Sequence, residues 1–268
     1  ATMGRPPNRA VGPEGDRVGG PSYDFSGRHV LVTGGSRGLG YLLARTFSRH
    51  GARVTITGTQ SLTSYYDADL TGFDYRQLDL TDGESIAELA ERVGHLDVLV
   101  NNAAPRLPFG VDAGEREFIA QAARIGLVGP LQLGTRLRLD LATSTLRGGG
   151  AVVNMPSIKR WFDLTHGSEV AELEVDRFTQ RVGTAWARLG IRVNSVTAPE
   201  MVPTQRSGLS VRIEQGSAPL MTRTQVPGAV TQREIVDVAL FLASDGAAGL
   251  AGQTLLVGAT TPTAPTLF

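Results

Sequence analysis

Short apolar segments alternate with amphipathic helical segments along most of the chain, and this alternation constrains the fold more than any other feature. Seven segments are predicted to be strands, the first of them a buried one: HVLVTGG, ARVTITG, YRQLDL, LDVLVNNA, GGAVVNMPS, IRVNSVTA and GQTLLVG. Helical periodicity lies between them, in GLGYLLARTFSRHG, TDGESIAELAERVG, roughly 114–143, 169–189 and QREIVDVALFLASD. Because strands that alternate with helices build a parallel sheet covered on both faces, we predict a doubly wound α/β fold.

The sequence predicts one domain over residues 23–268, preceded by a flexible tail. Residues 1–22 are rich in Gly, Pro and Arg and have no apolar periodicity, which is typical of a flexible segment. The remainder shows no internal repeat and no second domain. Within it, the loop-rich stretch 200–230 could serve as a lid over a substrate. Thr81 and Glu84 stand at capping-box spacing, so we expect the second helix to begin there.

The bulk composition is that of an ordinary globular protein and excludes several classes of function. Of the 268 residues, 41% are hydrophobic and 19% are charged, and 26 basic residues balance 26 acidic ones. A net charge of zero gives no general attraction to nucleic acid or an anionic membrane, and no apolar run is long enough to span a bilayer. The absence of cysteine excludes disulfides, thiolate catalysis and cysteine metal sites. We expect a cytoplasmic protein that acts on a small molecule and holds no metal.

The stretch TGGSRGLG joins the first strand to the first helix and predicts a phosphate-binding loop. Gly34 permits a tight turn, Gly38 allows the backbone to approach a pyrophosphate, and Gly40 allows the helix to pack on the strand. The helix then offers free N–H groups and a partial positive charge to the phosphates. The other candidate contacts of the loop are Ser36, Arg37 and Leu39. This pattern predicts a Rossmann-type, dinucleotide-binding fold; the alternative is a tight turn without a ligand.

The end of the second strand lacks the carboxylate that would bind the ribose 2′-hydroxyl of NAD. Gly58 and Thr59 stand there instead, which leaves Arg37 free to bind a 2′-phosphate, an interaction suited to guanidinium geometry. The sequence therefore favours NADP(H) over NAD(H), with Thr59 among the contacts. Asp79, which ends the third strand, is placed to contact the adenine, and it is equally consistent with an ordinary helix-entry acid.

Further motifs occur in the order and spacing of the short-chain dehydrogenase/reductase family. NNAA, from Asn101 to Ala104, resembles the motif that follows the fourth strand of that family, and VVNMPS resembles its fifth strand. GIRVNSVTAPE resembles the sixth strand and the segment leading to the nicotinamide, and REIVDVALFLASDGAAGLAGQTLLVG resembles the terminal helix and strand. The resemblance covers about Gly27 to Gly258. It implies a single Rossmann-fold domain, NADP(H) with Asn101 among its contacts, and a homo-oligomer formed through the two long helices.

The resemblance weakens at the catalytic positions. In the family a serine orients the substrate oxygen, a tyrosine donates a proton, and a lysine one helical turn on lowers the pKa of that tyrosine. Ser157 corresponds to the serine, but the tyrosine and lysine positions correspond to Ser168 and Glu172. No slip of the alignment restores the pair, because no tyrosine follows Tyr75 and no lysine follows Lys159.

Two further positions depart from the family pattern. Gly126 stands where the resemblance implies an asparagine that supports a proton-relay water. Glu200 follows Pro199 where the family has a glycine beside the nicotinamide. This glutamate adds bulk and negative charge, and Glu172 replaces the cation that would hold the ribose hydroxyls. Both changes oppose tight binding of the cofactor.

The residues at these positions form a candidate acid–base site. Ser168 and Glu172 are four residues apart near the start of a predicted helix, so they share one face. A partly desolvated Glu172 near Ser157 would have a raised pKa and could act as a general base or acid. His166 could donate or shuttle a proton, and Glu200 offers a second carboxylate. The alternative is an acidic helix start, with Ser168 as N-cap and the carboxylates facing the positive end of the helix dipole.

Three functions remain open from the sequence. The first is a non-redox acid–base enzyme that isomerises, eliminates from or cyclises a small carbonyl-bearing or polyketide-like metabolite. The second is an NADPH-dependent ketoreductase that uses a substitute proton donor, such as His166 or water. The third is a non-catalytic nucleotide-binding or partner subunit. The loss of catalytic groups that act as a unit lowers rates by several orders of magnitude, so the first function is favoured.

Overall fold

The computed structural model describes residues 22–104, 120–121, 123–155, 168–197 and 230–257, and in 168–176 it describes only the backbone. Nearly all of the predicted tail and nearly all of the predicted lid, 200–230, lie outside the described residues.

The predicted doubly wound parallel sheet is confirmed. Its seven strands are β1 (His29–Val32), β2 (Arg53–Gly58), β3 (Asp74–Gln77), β4 (Val98–Asn101), β5 (Gly150–Asn154), β6 (Ile191–Thr197) and β7 (Thr254–Leu256). They form one sheet in the order β3-β2-β1-β4-β5-β6-β7, and every neighbouring pair is parallel. The order reverses between β1 and β4, which is the topological switch point of the sheet.

The helices follow the predicted alternation with the strands. They are α1 (Gly38–Arg49), α2 (Gly83–Val93), α3 (Gly129–Arg136), α4 (Arg138–Ala142), α5 (Ser168–Ala187) and α6 (Gln232–Ala243). The long helical stretch predicted over 114–143 is divided where it is described, because a π-helical turn (Arg124–Val128) leads into α3 and a short break separates α3 from α4. Within the described ranges, no helix is long and apolar enough to cross a lipid bilayer.

Two apolar clusters cover the two faces of the sheet. Val30 and Val32 of β1 point to one face, where they pack in a cluster with Phe47 of α1 and with α6. Leu31, between them, points to the other face and packs in a cluster with Leu133 of α3 and with α2. Each such fully buried side chain stabilises the fold by about 1.5–3 kcal/mol. The sheet is therefore a rigid platform for the loops at its edges.

The second helix begins one residue later than predicted. Asp82 is its N-cap residue, and the Asp82 carboxylate accepts a hydrogen bond of 3.0 Å from the backbone N–H of Glu84. The Thr81 backbone N–H and hydroxyl both donate to Asp79 instead. The predicted capping box at Thr81 and Glu84 is therefore wrong, because a charged acceptor next to the helix interacts more strongly with the positive end of its dipole.

A buried arginine fixes α6 on the sheet. Arg192 of β6 is only 3% exposed. Its guanidinium donates to carbonyl oxygens at the end of α6 and in the following turn: Leu242, Ala243, Ser244 and Ala247. A cation at this end of a helix satisfies the last carbonyl groups and complements the negative end of the dipole.

Candidate nucleotide-binding and active site

The candidate site lies at the carboxyl edge of the sheet, next to the switch point. Parallel strands all end at the same edge, and ligands of doubly wound sheets bind in the crevice outside those ends where the strand order reverses. β1 ends at Val32 and β4 ends at Asn101. The predicted phosphate loop follows β1 directly, so it flanks this crevice.

Three glycines shape the phosphate loop as their spacing predicts. Gly34 and Gly38 have φ values of +64° and +52°, in the left-handed region that glycine adopts without strain. A Cβ on Gly40 would overlap the Gly34 carbonyl oxygen and the Asn102 side-chain amide. The start of α1 therefore approaches the loop at a distance that only glycine allows. Leu39, also a predicted contact, is partly buried against the apolar core.

The first turn of α1 is open to an anion. Arg37 is the N-cap residue, its side chain makes no capping hydrogen bond, and the first turn contains no acidic residue. At the start of α2, by contrast, the Asp82 carboxylate accepts a hydrogen bond from the backbone N–H of Glu84. The first N–H groups of a helix have no partner within it, so those of α1 present donors and the positive end of the dipole to the crevice. This arrangement is suited to a phosphate.

Asn102 and Thr33 tie the end of β4 to the phosphate loop, a role that the sequence analysis missed. The Asn102 side-chain amide donates to the carbonyl oxygens of Thr33 (3.1 Å) and Gly34 (3.2 Å). The Thr33 hydroxyl accepts from the backbone N–H groups of Asn102 (3.0 Å) and Ala103 (3.1 Å). The NNAA motif signals this contact. Its two asparagines could not be told apart from sequence, because successive side chains at a strand end point to opposite sides.

Asn101, the asparagine that was predicted as a cofactor contact, pairs with the neighbouring strand. Its side-chain amide donates to Asn154 Oδ1 at 2.9 Å, and the two residues are opposite each other in the β4–β5 register. Asn101 is 8% exposed, and its Oδ1 has no hydrogen-bond partner among the described residues. A buried acceptor without a donor is rare in folded proteins, so this oxygen is a candidate to accept a hydrogen bond from a ligand.

Two tyrosines and Gln60 close the end of β2 with a ring of hydrogen bonds. The Gln60 backbone N–H donates to the Tyr66 hydroxyl at 3.0 Å, and the Tyr75 hydroxyl donates to the Gln60 carbonyl oxygen at 2.5 Å. The two hydroxyl oxygens are 3.1 Å apart. Because the Tyr75 hydroxyl donates its proton to the Gln60 carbonyl oxygen, the Tyr66 hydroxyl is the donor in the hydrogen bond between the two tyrosines. The ring therefore fixes both backbone polar groups of Gln60.

Arg37 and Thr59, the predicted contacts of a 2′-phosphate, both contact Tyr66. The guanidinium carbon of Arg37 is 5.3 Å from the centroid of the Tyr66 ring, within the range of a cation–π interaction. The Thr59 carbonyl oxygen accepts a hydrogen bond of 3.0 Å from the Gln77 side chain. Arg37 and Thr59 are both exposed, so they are accessible to an anion from solvent.

The two phenols differ in acidity. Burial raises the pKa of Tyr66, but hydrogen bonds with Tyr75, the Gln60 backbone, Ser36 and Thr59 outweigh it, so this pKa lies below the ordinary value. Burial, followed by the hydrogen bond with Tyr66, raises the pKa of Tyr75 well above its usual range. Ser36, predicted as a cofactor contact, is 3% exposed and lies next to the Tyr66 hydroxyl.

Asp79 uses one carboxylate oxygen within its own turn. Asp79 Oδ1 accepts from the Thr81 backbone N–H at 2.8 Å and from the Thr81 hydroxyl at 2.7 Å. The Asp79 backbone N–H donates to the Ser85 hydroxyl at 3.0 Å. These bonds are those of a helix-entry acid, and a contact with adenine remains a prediction for this residue.

Two contacts with β6 fix the register of α5 along the strand direction of the sheet. The Thr179 hydroxyl is 2.8 Å from that of Ser195, and a Cβ on Gly183 would lie 2.9 Å from the Val193 carbonyl oxygen. The helix therefore runs antiparallel to β6, so α5 begins at the carboxyl edge of the sheet. Glu172 precedes Thr179 by seven residues, about 10 Å of helix. Only about 7 Å of strand remains between Ser195 and the end of β6.

The positions of Ser168 and Glu172 thus lie beyond the end of β6, at the edge that carries the phosphate loop. At about 100° per residue, the two positions fall within about 20° of Thr179 around the helix axis. Thr179 faces the sheet and is fully buried. The backbone therefore places Ser168 and Glu172 on the sheet-facing stripe of α5. Their side chains are outside the described part of the chain, as is the N-cap role predicted for Ser168.

The remaining predicted catalytic positions have different outcomes. Gly126 lies in the π-helical turn before α3, a type of turn that is frequent at functional sites, and as glycine it offers no hydrogen-bonding side chain there. Ser157, His166 and Glu200 lie outside the described residues. Their assignment as catalytic residues remains a prediction.

The described geometry fits a dinucleotide that carries a 2′-phosphate. The open first turn of α1 and its glycines suit the pyrophosphate, and the exposed guanidinium of Arg37 suits a second anion at the end of β2. The end of β2 offers Gly58 and Thr59 in place of a ribose-binding carboxylate.

Known proteins match this chain over nearly its full length. A family model described as enoyl-(acyl carrier protein) reductase matches residues 34–259. Momilactone A synthase of Oryza sativa subsp. japonica is 29% identical over 247 residues, which are 86% of this chain and 88% of that protein. The (+)-cis,trans-nepetalactol synthase of Nepeta racemosa is 28% identical over 248 residues, 87% of this chain and 90% of that protein. A solved structure named as a short chain dehydrogenase/reductase family protein has a TM-score of 0.64 and 27% identity, covering 87% of this chain and 97% of that chain.

Proposed function

This chain belongs to the short-chain dehydrogenase/reductase family, and we propose that it is an enzyme of that family that retains a site for NADP(H) but catalyses an acid–base reaction. The substrate would be a small carbonyl-bearing or polyketide-like molecule, and the reaction an isomerisation, elimination or cyclisation. One relative carries the name of a product, (+)-cis,trans-nepetalactol, and not of an oxidation or a reduction. That name supports chemistry on this fold beyond ordinary reduction.

The observation that carries the proposal is the register of α5 on β6. The Thr179–Ser195 contact sets Ser168 and Glu172 on the sheet-facing stripe of the helix, past the end of the strand. The family would use a tyrosine and a lysine there, and the chain has no tyrosine after Tyr75. In the proposed site, a hydroxyl and a carboxylate would take the places of the proton donor and the cation.

The proposed reaction moves protons between carbon atoms without a net change of oxidation state. Glu172 removes a proton from the carbon beside the substrate carbonyl; the electron pair of that C–H bond forms a C=C bond, and the π pair of the carbonyl moves onto its oxygen. The Ser157 hydroxyl donates a hydrogen bond to this oxygen, which lowers the energy of the developing charge. Glu172 or His166 then returns a proton at another carbon. Ser168 and Glu200 would position the substrate.

NADP(H) supplies hydride transfer when it is used as a redox cofactor in this family. In the proposed enzyme Gly34, Gly38, Arg37 and Thr59 would hold its adenosine and phosphate groups. The acid–base steps above draw on the side chains of the chain alone.

Exchange of carbon-bound hydrogen in heavy water tests the proposed base without knowledge of the final product. The protein is incubated with a panel of simple ketones, whose α-hydrogens exchange only slowly without a catalyst, and deuterium incorporation above the protein-free rate is followed by mass spectrometry. Glu172→Gln and Ser157→Ala should slow the enzyme-dependent exchange by about 10²- to 10⁴-fold, the usual contribution of general acid–base catalysis. Exchange that is unchanged in Glu172→Gln would remove the assigned base.

Glu174→Gln is the matched control for this test. Glu174 is on the same helix and carries the same charge, but at about 100° per residue its position is about 140° from that of Thr179. We therefore expect Glu174→Gln to keep the wild-type rate of exchange. Equal losses in Glu174→Gln and Glu172→Gln would indicate a general effect of charge at the helix start.

A second candidate is an NADPH-dependent ketoreductase with a substitute proton donor. The intact phosphate loop and the exposed Arg37 favour it, because both suit a bound dinucleotide phosphate. This function requires oxidation of NADPH by a carbonyl compound, with the proton supplied by His166 or by water. Steady oxidation of NADPH by a carbonyl compound would establish the ketoreductase in place of the acid–base enzyme, and its loss in His166→Gln would assign the proton to His166 and not to water.

A further inference from the structure

The Tyr66 hydroxyl takes up the space in which a side chain at the end of β2 would stand. A Cβ on Gly58 would overlap this hydroxyl and would lie 2.9 Å from the Tyr75 hydroxyl. Gly58 is the last residue of β2 and is buried. Any larger side chain at this position, including a carboxylate, is incompatible with Tyr66 in its present place.

We propose that Tyr66 is a nucleotide-specificity residue, which excludes a ribose-binding carboxylate at Gly58 and holds Arg37 ready for a 2′-phosphate. This inference rests on the nucleotide site of the proposed function and deepens it. It assigns the choice between the two nucleotides to an aromatic side chain that lies eight residues beyond the strand.

The hydrogen-bond ring makes Tyr66 a fixed support. Its hydroxyl accepts from the Gln60 backbone N–H and donates to Tyr75, which in turn donates to the Gln60 carbonyl. The ring position is therefore set by two backbone groups of the segment that follows β2. Because Arg37 lies over the face of this ring, one conformation of its flexible side chain is favoured before any ligand binds.

The chemistry of this corner suits a phosphate better than a ribose hydroxyl. A 2′-hydroxyl group is recognised by an acceptor such as a carboxylate. The Tyr66 oxygen already accepts from Gln60, and its proton already goes to Tyr75. The side chains of Ser36 and Thr59 also hydrogen-bond the Tyr66 hydroxyl, so what remains available is the exposed guanidinium of Arg37, a cation. Guanidinium donors bind a phosphate group.

Binding of 2′,5′-ADP and 5′-AMP tests the proposal at the adenosine end alone. The two probes differ by the 2′-phosphate and contain no nicotinamide, so isothermal titration calorimetry reads specificity independently of any reaction. Wild type should bind 2′,5′-ADP at least about tenfold more tightly than 5′-AMP, and Tyr66→Leu should reduce this ratio by about fivefold or more. The control Tyr65→Leu, at a neighbouring tyrosine that is 64% exposed, should keep the wild-type ratio.

A double-mutant cycle with Gly58→Asp separates steric exclusion from simple loss of a contact. With Tyr66 present, Gly58→Asp should weaken both probes, because the new carboxylate has no room. In Gly58→Asp combined with Tyr66→Leu the carboxylate fits, so binding of 5′-AMP should improve and the preference should reverse. A preference for 5′-AMP in Gly58→Asp alone would overturn the exclusion by Tyr66.

The outcomes distinguish this inference from the proposed function. If wild type binds 2′,5′-ADP and Tyr66→Leu keeps the same ratio of affinities, the nucleotide site stands and the role of Tyr66 is overturned. If wild type binds neither probe, the nucleotide site itself fails, and with it both this inference and the NADP(H) site of the proposed function, while the acid–base reaction is tested separately by the exchange experiment. Circular dichroism checks that each variant is folded. If Tyr66→Leu does not fold, Tyr66→Phe, which removes only the hydroxyl and opens the hydrogen-bond ring, is measured against Tyr65→Phe with the same criterion of a reduced ratio.

Discussion

The hydroxyl groups of Thr179 and Ser195 lie 2.8 Å apart, and this buried contact sets the height of α5 on the sheet. Both side chains are almost fully buried, at 0% and 4% exposure. The positions of Ser168 and Glu172 depend on this register, because they lie on the same continuous helix as Thr179. The proposed acid–base site therefore rests on a contact that lies below it in the core.

Thr179→Val tests this contact while keeping the shape of the side chain. The Ser195 hydroxyl would lose its buried partner, which should lower the free energy of unfolding by about 1–3 kcal/mol. Urea denaturation followed by circular dichroism measures the change. Thr184→Val is the control, because Thr184 is exposed on the same helix and should change stability by less than about 0.5 kcal/mol. Equal effects at the two positions would contradict the assigned role of Thr179.

Gly38→Ala tests whether the phosphate loop binds a nucleotide. The site has open space for a methyl group, so the substitution acts through the positive φ and costs about 1–2 kcal/mol of backbone strain. We expect the loop to shift and the affinity for NADPH, measured by nicotinamide fluorescence, to fall by about tenfold or more. Gly72→Ala is the control, since Gly72 has φ +91° and open space in a loop before β3. It should lose similar stability and keep the affinity.

Arg192→Met should destabilise the fold strongly. The substitution keeps much of the apolar stem but leaves carbonyl groups at the end of α6 buried without donors. We expect a loss of at least about 3 kcal/mol in the free energy of unfolding. Arg188→Met, at an exposed position at the end of α5, should change it by less than about 0.5 kcal/mol. A small effect of Arg192→Met would mean that α6 is held by its apolar face alone.

His29 lies at the amino edge of the sheet, opposite the candidate site, and it should make the free energy of unfolding depend on pH. Burial, followed by the charge of Arg53, lowers its pKa, against a hydrogen bond with the His95 carbonyl and the charges of Asp74 and Asp97. The unfolded chain therefore takes up a proton at a higher pH than the folded chain does. Stability from this group is unaffected above the ordinary histidine pKa of about 6.5 and is lost as the pH falls below it.

His29→Gln checks this pH dependence. Urea denaturation at several pH values from about 7 down to about 5 should show a smaller loss of stability in the variant than in wild type. His50→Gln leaves His29 in place and should keep the wild-type slope. An unchanged slope in His29→Gln would assign the acid sensitivity to other groups.

The strands and most helices could be predicted from the sequence because their signals are local. The alternation of strand and helix segments predicted all seven strands, and the glycine spacing of TGGSRGLG predicted the tight turn at Gly34, where the structure has a positive φ. The start of α2 was harder, since Thr81 and Asp82 are adjacent and both can cap a helix. Which of the two residues caps the helix depends on the turn that Asp79 makes with Thr81.

The closure at the end of β2 could not be predicted in the same way. The sequence marked the missing acid at Gly58, but the group that fills its place, Tyr66, comes from a loop and is fixed through Gln60 and Tyr75. Such contacts between loop residues follow no period. The clustering of all five tyrosines within the first 75 residues was the one signal in the sequence, and it does not say which hydroxyls meet.

The most direct test of the account follows deuterium incorporation and nicotinamide absorbance in one sample. NADPH-loaded protein is mixed with the panel of simple ketones in heavy water beside a protein-free control, and both signals are recorded over the same time. We predict that deuterium enters the compounds faster than without protein while the NADPH absorbance stays constant, and that Glu172→Gln slows the enzyme-dependent incorporation by about 10²- to 10⁴-fold. Loss of NADPH absorbance in proportion to reduced substrate, without enzyme-dependent incorporation, would contradict the acid–base function.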